Sequence, residues 1–344
     1  MKRLFQGIAI GVLVALSVIG VVAPKVQRSL LRPPSWAYSK DHVLLEVKSG
    51  ASAAAVARQL ADEGLIRSAR AFGVMLRQNG WDLKLKPGLY RIRTGQHSEQ
   101  IAQQIVNHDT LRVKVTLPEG LTLRQIAQKI QNAGKLESGQ WLPSAPQIEK
   151  AATSGLLKQV TGIEVPGATA EGYLFPATYD LEAGASAKQI VTRLLREFHR
   201  RFSGRWAKEI GRNDLSANEL VTLASVVERE AAADKERPLV ARVFLNRLEI
   251  GQKLESCATV QYALPAHKSR LLLSDTRVDS PYNTYIHAGL PPGPICSPGE
   301  ASLMAALRPG KTDALYFVSR GDGTHVFSRT FAQHERAIDR VRGK

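Results

Sequence analysis

The chain is poor in cysteine and in aromatic residues, and it lacks the compact motifs of the commonest enzyme chemistries. Only Cys257 and Cys296 are present, with no C-x-x-C and no Cys/His clustering, so neither a structural zinc site nor a thioredoxin-like motif is supported. No G-x-S-x-G, H-E-x-x-H, Walker A or G-x-G-x-x-G occurs, which removes support from serine hydrolase, zincin, nucleotide and dinucleotide readings. His287, His325 and His334 stand alone and read as surface or structural residues. No metal or organic cofactor is expected. Helix-turn-helix, RNP-type and zinc-finger patterns are missing too. The formal net charge of +16 therefore points away from nucleic acid, toward anionic lipid or a carboxylate-bearing polymer.

What is present reads as ordinary globular protein behind an apolar leader: 44% hydrophobic and 23% charged residues overall. Residues 4–23 (LFQGIAIGVLVALSVIGVVA) carry no charge. They are enough to cross a bilayer core of about 30 Å at about 1.5 Å per residue. Val21-Val22-Ala23 resembles a signal-peptide cleavage site, but Pro24 should hinder cutting, so a retained anchor is expected. Lys2 and Arg3 precede the run and Lys25, Arg28 and Arg32 follow it, so charge bias gives no orientation. Pro33-Pro34 reads as a stiff exit linker. Two cysteines allow one disulfide in an oxidising compartment or two free thiols, and count alone does not choose.

From residue 41 a pattern recurs three times: an extended apolar run, a glycine, then an apolar-Ala pair and a further apolar residue at helical spacing. The copies are 43–47 with Gly50, Val56, Ala57 and Leu60; 89–92 with Gly95, Ile101, Ala102 and Ile105; and 113–117 with Gly120, Ile126, Ala127 and Ile130. Each predicts a strand, a glycine turn and a short helix whose Ala lies close to the sheet. The units resemble LysM-like carbohydrate-binding modules, although any small α+β domain can use them. Residues 186–201 read as an amphipathic helix with Ile190, Val191, Leu194, Leu195 and Phe198 on one side. Ser216 and Glu219 form a capping-box signature for the helix that follows. Pro238 starts another helix that stops at Gly251, and Ser297 and Glu300 repeat the capping logic before 302–307. Residues 315–319 and 325–328 flank the turn Arg320-Gly321-Asp322-Gly323 as a hairpin.

The helix 219–233 is apolar almost all round, with a narrow polar wedge at Thr222 and Arg229, so it belongs in an interior. Glu228 shares a face with Val221, Ala224 and Ser225. Its carboxyl should be poorly solvated and so held protonated, fit for a general acid, unless Arg229, Arg242 or Arg247 pairs with it. Glu230 lies beside Leu223 and Val226, and periodicity does not separate the two glutamates. Two clusters, 171–179 (EGYLFPATY) and 280–285 (SPYNTY), have the aromatic and amide character of sugar-binding or of core-filling segments. The prolines and glycines of 289–294 (GLPPGP) fix a rigid loop suited to one wall of a cleft.

Six blocks in order are similar to one family, the endolytic murein transglycosylases or YceG-like proteins: EGYLFPATY, LASVVEREA at 223–231, ARVFLNRL at 241–248, TVQY at 259–262, SPYNTY, and GLPPGPI at 289–295. The resemblance spans nearly the whole chain. It implies an α+β fold in three parts: tail, transmembrane anchor and linker over 1–40, a LysM-like α+β region over 41–165, and a mixed α+β catalytic domain over 166–344. It places the catalytic acid of VVERE on Glu228. It also implies a single pass through the cytoplasmic (inner) membrane by residues 4–23, with the catalytic domain on the periplasmic side. Peptidoglycan glycan strands would be the substrate, and peptidoglycan synthases the protein partners. Substrate-binding residues expected on this basis are Glu171, Tyr173, Phe175, Tyr179, Gln261, Tyr262, Asn283, Thr284, Tyr285, Pro291 and Pro292. Cys257-Ala258 stands where family members often have Asp-Pro, and Cys296 follows the GLPPGPI loop, so a Cys257–Cys296 disulfide beside the cleft is expected.

A single strong carboxylate suits a substrate-assisted route, and the resemblance implies a lyase that leaves a 1,6-anhydro end. Ordinary glycoside hydrolysis with Glu171 as a second carboxylate is the nearest alternative. A non-catalytic wall-binding scaffold is the alternative from another class.

Overall fold

The computed structural model describes residues 29–34, 41–136, 139–203 and 215–343. The apolar run 4–23 lies outside them, and among the described residues no helix is long and apolar enough to cross a membrane. The fold is mixed α+β, as expected, with short two-stranded sheets and many helices.

The three strand-glycine-helix units form where the pattern placed them. Strand β1 (His42–Val47) turns at Gly50 into α1 (Ala53–Asp62), and α2 (Ala69–Gln78) follows. Strand β2 (Gly88–Arg93) turns at Gly95 into α3 (Ser98–Val106), and β3 (Arg112–Leu117) turns at Gly120 into α4 (Leu123–Ala133). The three glycines have φ of 78°, 79° and 77°, a left-handed conformation in which a Cβ would crowd the backbone. Each helix then buries its apolar-Ala-apolar set: Val56, Ala57 and Leu60; Ile101, Ala102 and Ile105; Ile126, Ala127 and Ile130. Ser52 and Thr122 cap their helices by accepting from the backbone N–H groups of Ala55 and Gln125.

The chain divides into two compact units, and the division falls at Val113/Lys114 rather than near 165. In the first unit β1 and β2 pair antiparallel, Leu45 opposite Tyr90. With α1, α2 and α3 they close one core around Leu45, Leu60, Phe72, Tyr90 and Ile101. Residues 182–184 belong to this unit as well. The third strand-glycine-helix copy goes with the second unit because its partners lie there. Strand β3 pairs with β6 (Ala177–Glu182), and α4 packs on α5 (Ala145–Ala151), the short strands β4 (Lys135–Leu136) and β5 (Gly139–Gln140) intervening. Helices α5 and α6 (Ser154–Thr161) pack on α7 (Ala187–Arg201), whose buried residues are the five anticipated from its periodicity.

The rest of the second unit is built around α8 (Ala217–Glu230). It packs against α9 (Arg237–Glu249), α10 (Cys257–Ala263) and α11 (Glu300–Leu307), and α9 also packs on α11. Strands β7 (Tyr316–Ser319) and β8 (His325–Ser328) form the expected hairpin, with α12 (Phe331–Val341) laid against it.

Gly95→Ala should lower unfolding free energy by about 1 kcal/mol, because a Cβ there meets open space and the cost is the left-handed backbone alone. Gly155→Ala, in α6 at an ordinary φ, should cause no loss; urea denaturation of the two variants checks the pair.

Candidate active site

Helix α8 opens on the capping box expected at Ser216: its hydroxyl accepts from the Glu219 N–H, and the Glu219 carboxylate accepts from the Ser216 N–H at 2.9 Å. Every residue from Leu220 to Val227 is buried. Thr222, read as part of a polar wedge, is 1% exposed, because α9, α10 and α11 cover more of the helix than its own pattern shows. The helix ends at Ala231, which turns extended. Glu228 and Glu230 thus sit in the last turn of an interior helix and leave it in different directions.

The Glu228 side chain is 6% exposed. Its Oε1 lies 3.3 Å from Nη1 of Arg237, and its Oε2 accepts from the Gly299 N–H at 3.0 Å. The alternative of a buried ion pair for Glu228 is therefore found, but with Arg237 in place of the partners weighed for it. Arg242 pairs with Glu249, Arg247 donates to the carbonyls of Leu254 and Leu315, and Arg229 is exposed and reaches the Gly120 carbonyl. Arg237 is the first residue of α9, itself buried. It is aimed by Asp234, which accepts from Nε at 3.0 Å, and by Ser302 of α11, which accepts from Nη1 at 2.7 Å.

Gly299 arrives on a stitched loop. The Ile295 N–H donates to Ser225 Oγ at 3.0 Å, and the Ser297 N–H donates to the Leu121 carbonyl at 2.8 Å. The Gly120 N–H donates to the Ser297 carbonyl at 2.9 Å. The capping role expected of Ser297 is not found. The N-cap of α11 is Gly299, and Ser297 is buried with its hydroxyl unpartnered.

Glu230 accepts from Ser256 Oγ at 2.5 Å and from the Ala258 N–H at 3.3 Å, so it holds the start of α10. It also lines a cavity of about 380 Å³ together with Arg247, Cys257, Tyr285, Tyr316 and His334. A smaller cavity of about 120 Å³ is bounded by Tyr173, Asn218, Tyr282, Pro292 and Pro294. Among the described residues no three His, Cys, Asp or Glu side chains converge as a metal site.

The expected sugar-binding residues separate into wall and scaffold. Tyr285, half-buried, faces the larger cavity; Pro292 is exposed at the smaller one, and Gln261 is partly exposed with its amide on His267. Tyr173 is buried and donates to Asn218 Oδ1 at 3.1 Å. Phe175 lies under the Arg201 guanidinium, Tyr179 donates to the Phe175 carbonyl, and both are buried. Asn283 is fully buried and donates to the carbonyls of Thr276 and Val278, while Thr284 bonds Thr259 Oγ1 at 2.8 Å. Pro291 is buried. Phe175, Tyr179, Asn283, Thr284 and Pro291 are all buried, and the side-chain polar groups of Tyr179, Asn283 and Thr284 bond within the fold.

Glu171 is also scaffold. It is buried and accepts from the N–H groups of Leu123, at the start of α4, and of Gly172, while Tyr262 donates to it at 3.4 Å. Burial pushes its carboxyl up to about 7 against these donors. The expected disulfide is not formed: both cysteines are free. Cys257 is exposed at the start of α10 with Sγ 3.2 Å from the Tyr285 hydroxyl, whereas Cys296 is buried against α8 with Sγ 3.3 Å from the Ser225 carbonyl.

A sequence model of the YceG-like family matches residues 45–340. This chain belongs to the YceG-like family. An endolytic murein transglycosylase of Bacillus subtilis (strain 168) is 33% identical over 91% of this chain and 88% of its own length. One of Streptococcus pneumoniae is 29% identical over 89% of this chain, which spans 59% of that longer protein. A crystal structure of a YceG-like protein from Listeria monocytogenes superposes with a TM-score of 0.57 at 31% identity, covering 87% of this chain and 99% of that one. In this YceG-like chain, sequence reasoning missed Arg237 and Gly299. The arginine beside Pro238 looked like any charged residue in a first helical turn, and Gly299 looked like part of a cap.

Because Glu171 keeps its proton to higher pH in the folded state than in the unfolded one, its contribution is complete below the unfolded value of 4.5 and is lost as pH rises through about 7. Between those values the wild type should lose roughly 3 kcal/mol that Glu171→Gln does not lose. Urea denaturation of both at pH 4.5 and pH 8 measures the difference.

Proposed function

We propose that this chain is an endolytic murein transglycosylase, a lyase that cuts the MurNAc–GlcNAc bond within peptidoglycan glycan strands and leaves 1,6-anhydroMurNAc ends. The observation that carries this reading is the desolvated carboxyl of Glu228 at the end of the interior helix of a chain whose curated relatives bear that name. Glu228 protonates the bridging oxygen as the bond from the muramic anomeric carbon breaks. The substrate's acetamido oxygen holds that carbon. The muramic C6 hydroxyl then attacks it and returns its proton to Glu228. No water is consumed, and the carboxyl ends the cycle as it began.

Around that chemistry, residues 4–23 anchor the chain in the cytoplasmic membrane, and the catalytic unit works on its outer, periplasmic side, near the peptidoglycan synthases. The first unit acts as a LysM-like module that holds the strand. Tyr285 and Gln261 remain the positions best placed to contact sugar.

One observation favours a second reading: Glu230, not Glu228, lines the 380 Å³ cavity with Tyr285 and Tyr316. The two readings part cleanly on isolated glycan strands. Glu228→Gln should lower the cleavage rate by about 10²–10⁴-fold while Glu230→Gln keeps most of it. Loss in Glu230→Gln with full activity in Glu228→Gln would move the acid to Glu230 and the sugar into that cavity. Full cleavage by both variants would reject the enzymatic assignment altogether.

A further inference from the structure

With Glu228 as the acid, the 380 Å³ cavity beside Glu230 is left without a role, although its volume falls in the range of about 300–1,000 Å³ usual for small-ligand sites. All of its walls belong to the second unit. Phe244 and Phe317, packed edge to face at 5.7 Å, line its apolar side. Tyr316 organises the polar side. The Arg247 guanidinium lies over its ring at 5.1 Å, and the His334 imidazole stacks on it at 5.3 Å. Phe331, 58% exposed, meets the same ring edge-on at 5.9 Å.

The charged groups that line this cavity are only partly used by the fold. The Arg247 side chain is 9% exposed, and it spends Nε on the Leu315 carbonyl and Nη1 on the carbonyls of Lys253 and Leu254. Glu230 spends Oε1 on Ser256 and Ala258. Glu255 approaches Arg247 Nη1 only to 3.7 Å, and it holds a left-handed φ of 48° that is costly for a residue with a side chain. Among the described residues, Arg247 Nη2, Glu230 Oε2 and the Glu255 carboxylate make no hydrogen bond. His334 is also unsatisfied, its Nδ1 buried without a partner. Burial, and then the charge of Arg247, hold this imidazole below the usual histidine range, so it adds no charge at neutral pH. His325 is closed off by Glu236 at 2.8 Å. One guanidinium and two carboxylates therefore remain. A simple anion would leave the carboxylates unmet, and a simple cation would leave the guanidinium unmet. A ligand that carries an ammonium and a carboxylate on one carbon satisfies both.

We propose that this cavity binds a zwitterionic α-amino-acid head, its carboxylate on Arg247 Nη2 and its ammonium on the carboxylates of Glu255 and Glu230. Peptidoglycan presents such a head where the side chain of a diaminodicarboxylic acid ends in an uncrosslinked stem peptide. The methylenes before that head match the exposed ring of Phe331 and the face of Tyr316. The stem peptide as source rests on the proposed peptidoglycan substrate; the chemistry of the site does not, since a free amino acid carries the same head. On this reading Glu230 recognises peptide, a task separate from the proton transfer of Glu228.

The test is isothermal titration calorimetry on the full-length protein. The probes are N-acetyl-L-alanyl-γ-D-glutamyl-meso-diaminopimelate, the same peptide with its free ammonium acetylated or its side-chain carboxylate amidated, and free meso-diaminopimelate. Each blocked peptide should bind about tenfold more weakly than the unblocked one. Arg247 also holds the Leu254 and Leu315 carbonyls, so the variant is made at Glu255. Glu255→Gln should weaken the unblocked peptide about tenfold and leave the acetylated one unchanged, because the ammonium it would lose is already gone. Tighter binding of the peptide than of free meso-diaminopimelate assigns the head to the stem, and equal binding assigns it to a free amino acid. No saturable binding, or blocked peptides that bind as well as the unblocked one, overturns the proposal. Displacement of the peptide by a peptide-free N-acetylglucosamine oligomer also overturns it and gives the cavity to sugar. None of these readings depends on cleavage, so a failure of the lyase assignment shows separately, as full strand cleavage by Glu228→Gln.

Discussion

The interior position of α8 is the constraint on which the site depends. Eight consecutive buried residues, including Thr222 and Ser225, fix the helix so tightly that the last turn has no freedom to choose where its carboxylates go. Glu228 is delivered to the start of α9 and the N-cap of α11, and Glu230 to the start of α10. Both are therefore set by the packing of three helices on one, not by local preference. Desolvation of a carboxylate is costly unless hydrogen bonds and an opposite charge compensate it, and here Arg237 and the Gly299 N–H do so.

That arrangement explains why the loop 295–299 is bonded so thoroughly. Ser225 of α8 binds it from one side through its hydroxyl and carbonyl, and the turn after β3 binds it from the other through Gly120 and Leu121. The third strand-glycine-helix copy therefore does more than repeat the first two. It shares their turn geometry, yet it belongs to the second unit, where Gly120 and Leu121 bond Ser297.

Features fixed by nearest neighbours were legible in the sequence. The glycine turns, the buried triplets of α1, α3 and α4, the Ser216 box, the face of α7 and the β7–β8 hairpin all follow from spacing and capping chemistry within one element. Features decided by long-range packing were not. Arg237 pairs with Glu228 because α9 crosses α8, which no local pattern encodes. Asn283 and Thr284 had the chemistry of sugar ligands, but the chain folds back so that their polar groups meet Thr276, Val278 and Thr259 instead. Cys257 and Cys296 looked like partners in sequence and are both free, one exposed and one buried. The family blocks located Glu228; its surroundings had to come from the fold.

In the proposed reaction one carboxyl both gives and takes back a proton while the substrate closes on itself. Mass analysis of strand ends released by the wild-type protein in ¹⁸O-labelled water measures this directly. The proposed lyase reaction gives 1,6-anhydro ends with no label. Reducing ends carrying ¹⁸O would contradict it, because a water molecule would then have done what the C6 hydroxyl is held to do.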